Sequence, residues 1–99
     1  MSQELIVQAI KELRLLEFYY EGGTRVVEPH QLATNEANHL ALSAYRVRGY
    51  SASHNEPPWR EYLASRMTQI RVLDENFSGS RPGYKRTPNK KFRSAIAEL

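Results

Sequence analysis

Cysteine is absent from the 99 residues, and with it go thiolate catalysis, cysteine-ligated zinc, iron–sulfur clusters and disulfide scaffolds. A reducing compartment fits that usage. Long apolar runs are absent too, since no stretch approaches the roughly 20 residues that cross a bilayer. The opening MSQELIVQAIKELR interrupts its apolar positions with Gln, Lys and Glu, and carries Glu4 where a secretory signal would be basic. The expectation is a cytoplasmic protein with no membrane contact. Glycine-rich phosphate loops are also missing. Gly22-Gly23 is the one adjacent pair, and neither it nor Gly79 or Gly83 leads into Lys-Ser/Thr at the start of a helix.

Histidine is scarce, and His30, His39 and His54 show none of the spacings, such as HxH or HExxH, that place two ligands on one face. No metal site is expected. No serine can be assigned a base and a carboxylate, which a hydrolase would need, so no catalytic residue is named and no cofactor is implied. Asn76-Phe77-Ser78 has glycosylation spacing, which carries no weight without a secretory signal.

The chain length suits one domain with one core, able to bury roughly 60 to 70 % of its unfolded surface without a staple. The net charge of +3 is unevenly spread: residues 1–80 carry eight Lys/Arg against ten Asp/Glu, whereas residues 81–99 carry six against one. A basic tail on an acidic body favours contact with phosphates or an acidic surface, and a solvated, solubilising tail is the plainer alternative.

Behind Ser2, a candidate N-cap, Leu5, Ile6, Ala9, Ile10 and Leu13 fall at helical spacing, with Glu4 in the first turn. This predicts an amphipathic helix of about three turns. Its apolar face is wider than a lone surface helix needs, so it either plugs the open end of the domain, the favoured alternative, or forms a homodimer. From Arg14 the period becomes two, with Leu16, Phe18 and Tyr20 on one face and Leu15, Glu17 and Tyr19 on the other. Glu21-Gly22-Gly23-Thr24 predicts a tight hairpin with the two glycines central. The second strand runs from Arg25 to about Ala33, bent, bulged or at an edge near Pro29. After a turn at Asn35–Asn38, a third strand spans His39 to Tyr50, with Leu40, Leu42 and Ala44 on one face and Tyr45 and Val47 opposite. Residues 51–58 form a surface loop ending in two prolines. A fourth strand runs from Trp59 to Ala64, a corner spans Ser65–Thr68, and a fifth strand lies around Ile70 and Val72. Beyond Phe77 the chain is rich in Gly, Pro, Ser and Lys and extended at best, until Phe92, Ile96 and Leu99 suggest a short helical ending. The sum is mainly β: one N-terminal helix, then a five-stranded, strongly bent antiparallel sheet or partly open barrel. Residues 1–78 form the compact domain and residues 79–99 a basic C-terminal tail.

Interleaved aromatic and basic residues are the unusual feature. Tyr45-Arg46-Val47-Arg48-Gly49-Tyr50 puts Arg46 and Arg48 on one face of a strand, and Trp59-Arg60-Glu61-Tyr62 repeats the theme. Guanidinium groups bind phosphate bidentately and rings stack on bases, so such a face can hold a nucleotide or a single strand. The plainer alternative is half-buried tyrosines with arginines opposite glutamates.

The motifs EFYYEGGTRVVEPHQL, HLALSAYRV, WREYLASRM, IRVLDENF and RPGYKR, in that order, resemble a short, stand-alone WYL domain over about residues 7 to 93. The resemblance rests on Glu28-Pro29-His30, Ala44-Tyr45, the Trp59 strand, Arg66-Met67 and Arg81-Pro82-Gly83-Tyr84. The signature Trp-Tyr-Leu itself falls at Leu40-Ala41-Leu42, where only the leucine matches. The resemblance implies an SH3/Sm-like small barrel that senses a ligand for a transcription regulator, here without room for a helix-turn-helix. It also implies His30, Tyr45 and Arg66 as ligand positions, to which the charge pattern adds Arg46 and Arg48. Each has a structural alternative: a hydrogen-bonded histidine beside a bend, a core tyrosine, a corner arginine bonded to carbonyls. Trp59 is read as a core residue rather than a stacking platform, with the platform as its alternative, and Leu73 and Phe77 are assigned wholly to packing. The expected function is a non-catalytic module for a nucleotide or short single-stranded nucleic acid, assisted by the tail residues Arg81, Lys85, Arg86, Lys90 and Lys91, with a protein partner carrying a DNA-binding domain. The alternative is a protein-interaction adaptor acting through the helix and tail.

Overall fold

The computed structural model describes residues 2–50, 57–86 and 92–99. Helix α1 (Ser2–Glu12) leads into strands β1 (Arg14–Tyr20), β2 (Gly23–Asn35), β3 (Leu40–Gly49), β4 (Trp59–Leu63), β5 (Thr68–Asn76) and β6 (Phe92–Glu98), with a 3-10 turn at Ala64–Arg66 between β4 and β5. All ladders are antiparallel, in the order β4-β3-β2-β1-β5, and β6 adds to β2. The protein is therefore mainly β with one N-terminal helix, as its alternating pattern predicts.

The connection between the two ends of this order dictates the curvature. In a flat sheet, β4 and β5 would lie four strand spacings apart, about 19 Å. Only residues 64–67 join them, three of them in the 3-10 turn, where the chain rises just ~2 Å per residue. The sheet must curl until its first and last strands meet at that turn, and the result is barrel-like.

The concave side holds the main core. Ile6, Ala9 and Ile10 of α1 are buried against Leu16, Phe18, Tyr20, Val27, Leu32, Leu42, Ala44, Tyr62 and Met67. The apolar helix face thus plugs the chain's own sheet. Phe18, Tyr20 and Tyr62 meet edge to face with centroids 5.0 to 6.1 Å apart, the arrangement that ring quadrupoles favour. A second cluster of Leu15, Val26 and Phe77, with Leu73 against it, covers the opposite side of β1. The helix ends at Leu13, which takes φ 55°, and its last carbonyls are tied to the end of β5. The Asn76 amide donates to Glu12 O and Leu13 O, both at 3.1 Å, and the Phe77 N–H donates to Leu13 O at 2.9 Å.

Two local expectations are corrected. The central residues of the β1–β2 turn are Glu21 (φ 44°) and Gly22 (φ 102°), not the two glycines, because Gly23 already pairs with Tyr20 in the ladder. Gly23 serves space instead: a Cβ there would overlap Cβ and Cγ of Tyr50. The expected helical ending at Phe92–Leu99 is strand β6. Phe92 (2 % exposed) and Ala97 are buried while Ile96 stays 47 % exposed, so the i, i+4 stripe is not the buried one. Seven residues cannot nucleate a helix by themselves, and the flank of β2 at Gln31–Asn35 supplies the ladder they join. Among the described residues the sheet therefore has six strands, the last drawn from the tail.

Strand β2 positions the site. On one flank it pairs with β3 along its length, while on the other Gly23–Val27 pair with β1 and Gln31–Asn35 pair with β6. Glu28, Pro29 and His30 lie where β2 changes partners. The β3 register also slips there, from Pro29↔Ala44 to Gln31↔Ser43, leaving His30 as the extra residue of a bulge. That is the irregularity expected of a proline inside a strand.

Candidate ligand site around His30

The bulge aims His30 into a ring of aromatic side chains and leaves it fully buried. Its Nε2 accepts the backbone N–H of Arg81 at 3.0 Å, which requires that nitrogen to be bare. The proton therefore sits on Nδ1, which donates to Glu28 O at 2.8 Å. Burial is the main cause that lowers the imidazole pKa below its ordinary value, and the nearby Arg81 charge adds to it. The ring is neutral. Phe77 stacks on it at 5.7 Å, and Trp59 and Tyr84 meet it edge-on at 4.8 and 5.2 Å.

Around this ring the segment Arg81–Tyr84 folds back onto Glu28–His30. Arg81 donates from Nε and Nη2 to the two oxygens of Glu28 at 2.7 and 3.0 Å, a bidentate pair. The same guanidinium lies 4.2 Å from the centre of the Tyr45 ring. Pro82 O accepts the Trp59 indole N–H at 3.3 Å, and the Tyr84 hydroxyl donates to His30 O and Leu99 O at 3.3 and 3.2 Å. Burial, reinforced by Glu98, pushes the Tyr84 phenol up to about 12. Tyr45 and Trp59 are direct cross-strand partners on β3 and β4, which brings their rings to 5.6 Å.

Of the residues expected from sequence, His30, Tyr45 and Arg81 come together. The others lie elsewhere. Arg66 pairs at 3.2 Å with Glu21 at the β1–β2 turn, which also takes Arg60 at 2.7 Å, and hydrogen bonds from these two arginines, Arg60 foremost, lower the Glu21 pKa. Arg48 forks onto Glu75 of β5 at 2.6 and 3.1 Å, which lowers the Glu75 pKa. Arg46 is half-buried, with its backbone N–H on Pro58 O at 2.8 Å. Lys85 and Arg86 are exposed; the Lys85 carbonyl accepts from Gln31 at 3.3 Å and Arg86 reaches Glu98 at 3.4 Å. Lys90 and Lys91 lie outside the described residues. The charge pattern on β3 did not reveal Glu28, Trp59 and Tyr84 as members of the site. Their signal was the pair of motifs Glu28-Pro29-His30 and Arg81-Pro82-Gly83-Tyr84, with complementary charges at Glu28 and Arg81. Trp59, read as core with a stacking platform as the alternative, stands half-buried at the rim.

Both His30 nitrogens and both Glu28 oxygens are engaged by the chain itself. Among the described residues no group of three His, Cys, Asp or Glu is placed to hold a metal ion, and no helix is long and apolar enough to cross a membrane. What faces outward is a rim. Tyr45, Trp59 and Tyr84 are half-buried, and the Arg81 side chain is 40 % exposed. Comparison with protein-family models, curated proteins and solved structures returns no match. The site is thus read from its own geometry, which offers aromatic surface and fixed donors.

Proposed function

We propose that this chain is a non-catalytic sensing module that binds a nucleotide or a short single-stranded nucleic acid at the Tyr45–Trp59–Tyr84 rim. The observation that carries this reading is the Arg81 guanidinium, held over the Tyr45 ring at 4.2 Å from its centre and bidentate on Glu28. Two of its five N–H donors are committed to Glu28, and the rest are available to a phosphate in a preset plane. The Trp59 and Tyr84 rings beside it lie nearly parallel, 11° apart, and offer stacking surface to a base. Because Glu28 neutralises Arg81, long-range attraction falls to the rest of the tail, whose residues 82–99 carry five Lys/Arg against one Asp/Glu.

The motifs that resemble a WYL domain, Glu28-Pro29-His30 and Arg81-Pro82-Gly83-Tyr84, pack on each other here. This is consistent with a ligand sensor that works with a separate DNA-binding partner in the cytoplasm. A protein-interaction role through α1 would have to use Gln3, Glu4, Lys11 and Glu12, since the apolar face is inside the chain.

Titration of short single-stranded DNA or RNA at several salt concentrations tests the proposal. Affinity falls with salt, with a logarithmic slope of about 0.7 per phosphate contacted. Neutralising Lys85, Arg86, Lys90 and Lys91 reduces the slope and leaves residual binding, whereas Tyr45→Ala weakens binding by about 1 to 3 kcal/mol with little change of slope. Absence of binding to oligonucleotides and mononucleotides at low salt by the folded protein overturns it.

A further inference from the structure

We propose that Arg81–Tyr84 is a strap latched over the site by neutral His30, and that protonation of His30 releases it. The strap's regulatory meaning rests on the function proposed above, because Arg81 and Tyr84 belong to the ligand rim. Its opening and closing do not.

The segment belongs to no strand. Side-chain contacts hold it: Arg81 on Glu28 and Tyr45, the Arg81 N–H on His30, Pro82 O on Trp59, and Tyr84 on the His30 carbonyl. Its approach runs through Gly79, whose φ of 132° suits glycine. Such an element, lacking a ladder of its own, opens at lower cost than the sheet beneath it.

The latch is a single bond whose polarity a proton reverses. Nε2 accepts the Arg81 N–H only while bare. An imidazolium carries N–H on both nitrogens, so a donor would face a donor beside the Arg81 guanidinium. Closure therefore disfavours protonation, and by linkage protonation disfavours closure by the same factor. Among the described residues, the charged or titratable groups around the ring are few. Glu28 on its own strand favours the imidazolium, and its carboxylate is held by Arg81. Arg81 and Tyr84 come from the strap, and Tyr45 of β3 and Glu98 of β6 act through Arg81 and Tyr84 respectively. From β4 and from beyond β5 come Trp59 and Phe77, which carry no charge. Because burial opposes the charged ring, the strap opens on the acid side of the ordinary histidine range.

Trp59, the one tryptophan, reports the strap through its bond to Pro82 and its stacking on Tyr84. The experiment follows Trp59 emission and acrylamide quenching of the full ligand-free chain from neutral to mildly acid pH. Far-ultraviolet circular dichroism and the His30 imidazole resonances are recorded in parallel. The expected result is a red shift and increased quenching in one step that coincides with the His30 titration while the dichroism stays constant. His30→Gln, which keeps an acceptor for the Arg81 N–H but does not titrate, abolishes the step; His39→Gln leaves it. The latch is overturned by an emission that ignores the His30 titration, by a step that survives in His30→Gln, or by a step that tracks loss of dichroism. If His30→Gln does not fold, coincidence of the two wild-type titrations decides. A pH step in a protein that binds no nucleotide removes the proposed function and leaves the latch. Nucleotide binding without the step does the reverse.

Discussion

Gly22 and Gly23 show how two adjacent glycines can answer different demands. The position of Gly23 next to Gly22 suggests turn chemistry, yet the left-handed conformations belong to Glu21 and Gly22. What Gly23 provides is the absence of a side chain under the Tyr50 ring. Gly23→Ala should cost about 1 to 3 kcal/mol, the usual range for forcing a methyl group into an occupied space. In a Tyr50→Ala background the same change should cost much less. Denaturant unfolding of the four proteins of the cycle measures the coupling, and equal costs in both backgrounds would exclude the overlap as the cause. Adjacent glycines announce that side chains are unwelcome, without saying whether a backbone angle or a neighbour excludes them. The same blindness applies to His30 and Arg81. Fifty-one positions separate them, and no local pattern records that the backbone N–H of one is the partner of the other.

At the scale of elements, α1 was legible from its helical period and β1 and β3 from their alternation, β2, β4 and β5 followed from the turns and loops between them, and Pro29 announced a bend, bulge or edge in β2. β6 was not legible. Phe92, Ile96 and Leu99 have helical spacing, and only the open flank of β2 makes the segment a strand. The two assignments separate by mutation. Phe92→Ala should cost about 3 to 5 kcal/mol, as expected for an aromatic ring emptied from a core. Ile96→Ala should change stability by no more than about 0.5 kcal/mol, as at a surface site. A helix with the stripe Phe92, Ile96 and Leu99 would make both costly, so thermal or denaturant unfolding distinguishes them. The candidate site shares this dependence on distant pairing. Its β2 half was marked by Glu28-Pro29-His30, whereas Tyr84 and Trp59 acquire their places only once the tail has folded back.

Across the whole molecule, the curled sheet has an open end and α1 is its plug. Ile10 is 1 % exposed in a single chain, so Ile10→Asp would bury a carboxylate in the main core without a designed partner. The expected outcome is loss of the cooperative unfolding transition. A helix that instead served self-association would leave Ile10→Asp a folded monomer by light scattering and circular dichroism. The charge distribution also has a whole-molecule consequence. Arg14, Arg48, Arg60, Arg66 and Arg71 are each bridged to a carboxylate of the body. These exposed pairs add little stability, but they remove free cations from the body. The net positive charge is concentrated in the tail, where residues 81–99 carry six Lys/Arg against one Asp/Glu.

The division of one β2 flank between β1 and β6 also sets an order of events during synthesis. β1 and its half of β2 are neighbours in the chain and can pair as soon as both have left the ribosome. The flank at Gln31–Asn35 must wait about sixty residues for Phe92–Glu98. Throughout that interval a strand edge containing Leu32 and Ala33, both wholly buried in the finished protein, stands open to any other extended chain. An uncovered edge of this kind invites intermolecular pairing. The nascent chain is therefore vulnerable to aggregation until Phe92–Glu98 has emerged, and a ribosome stalled within residues 80–90 would hold it there.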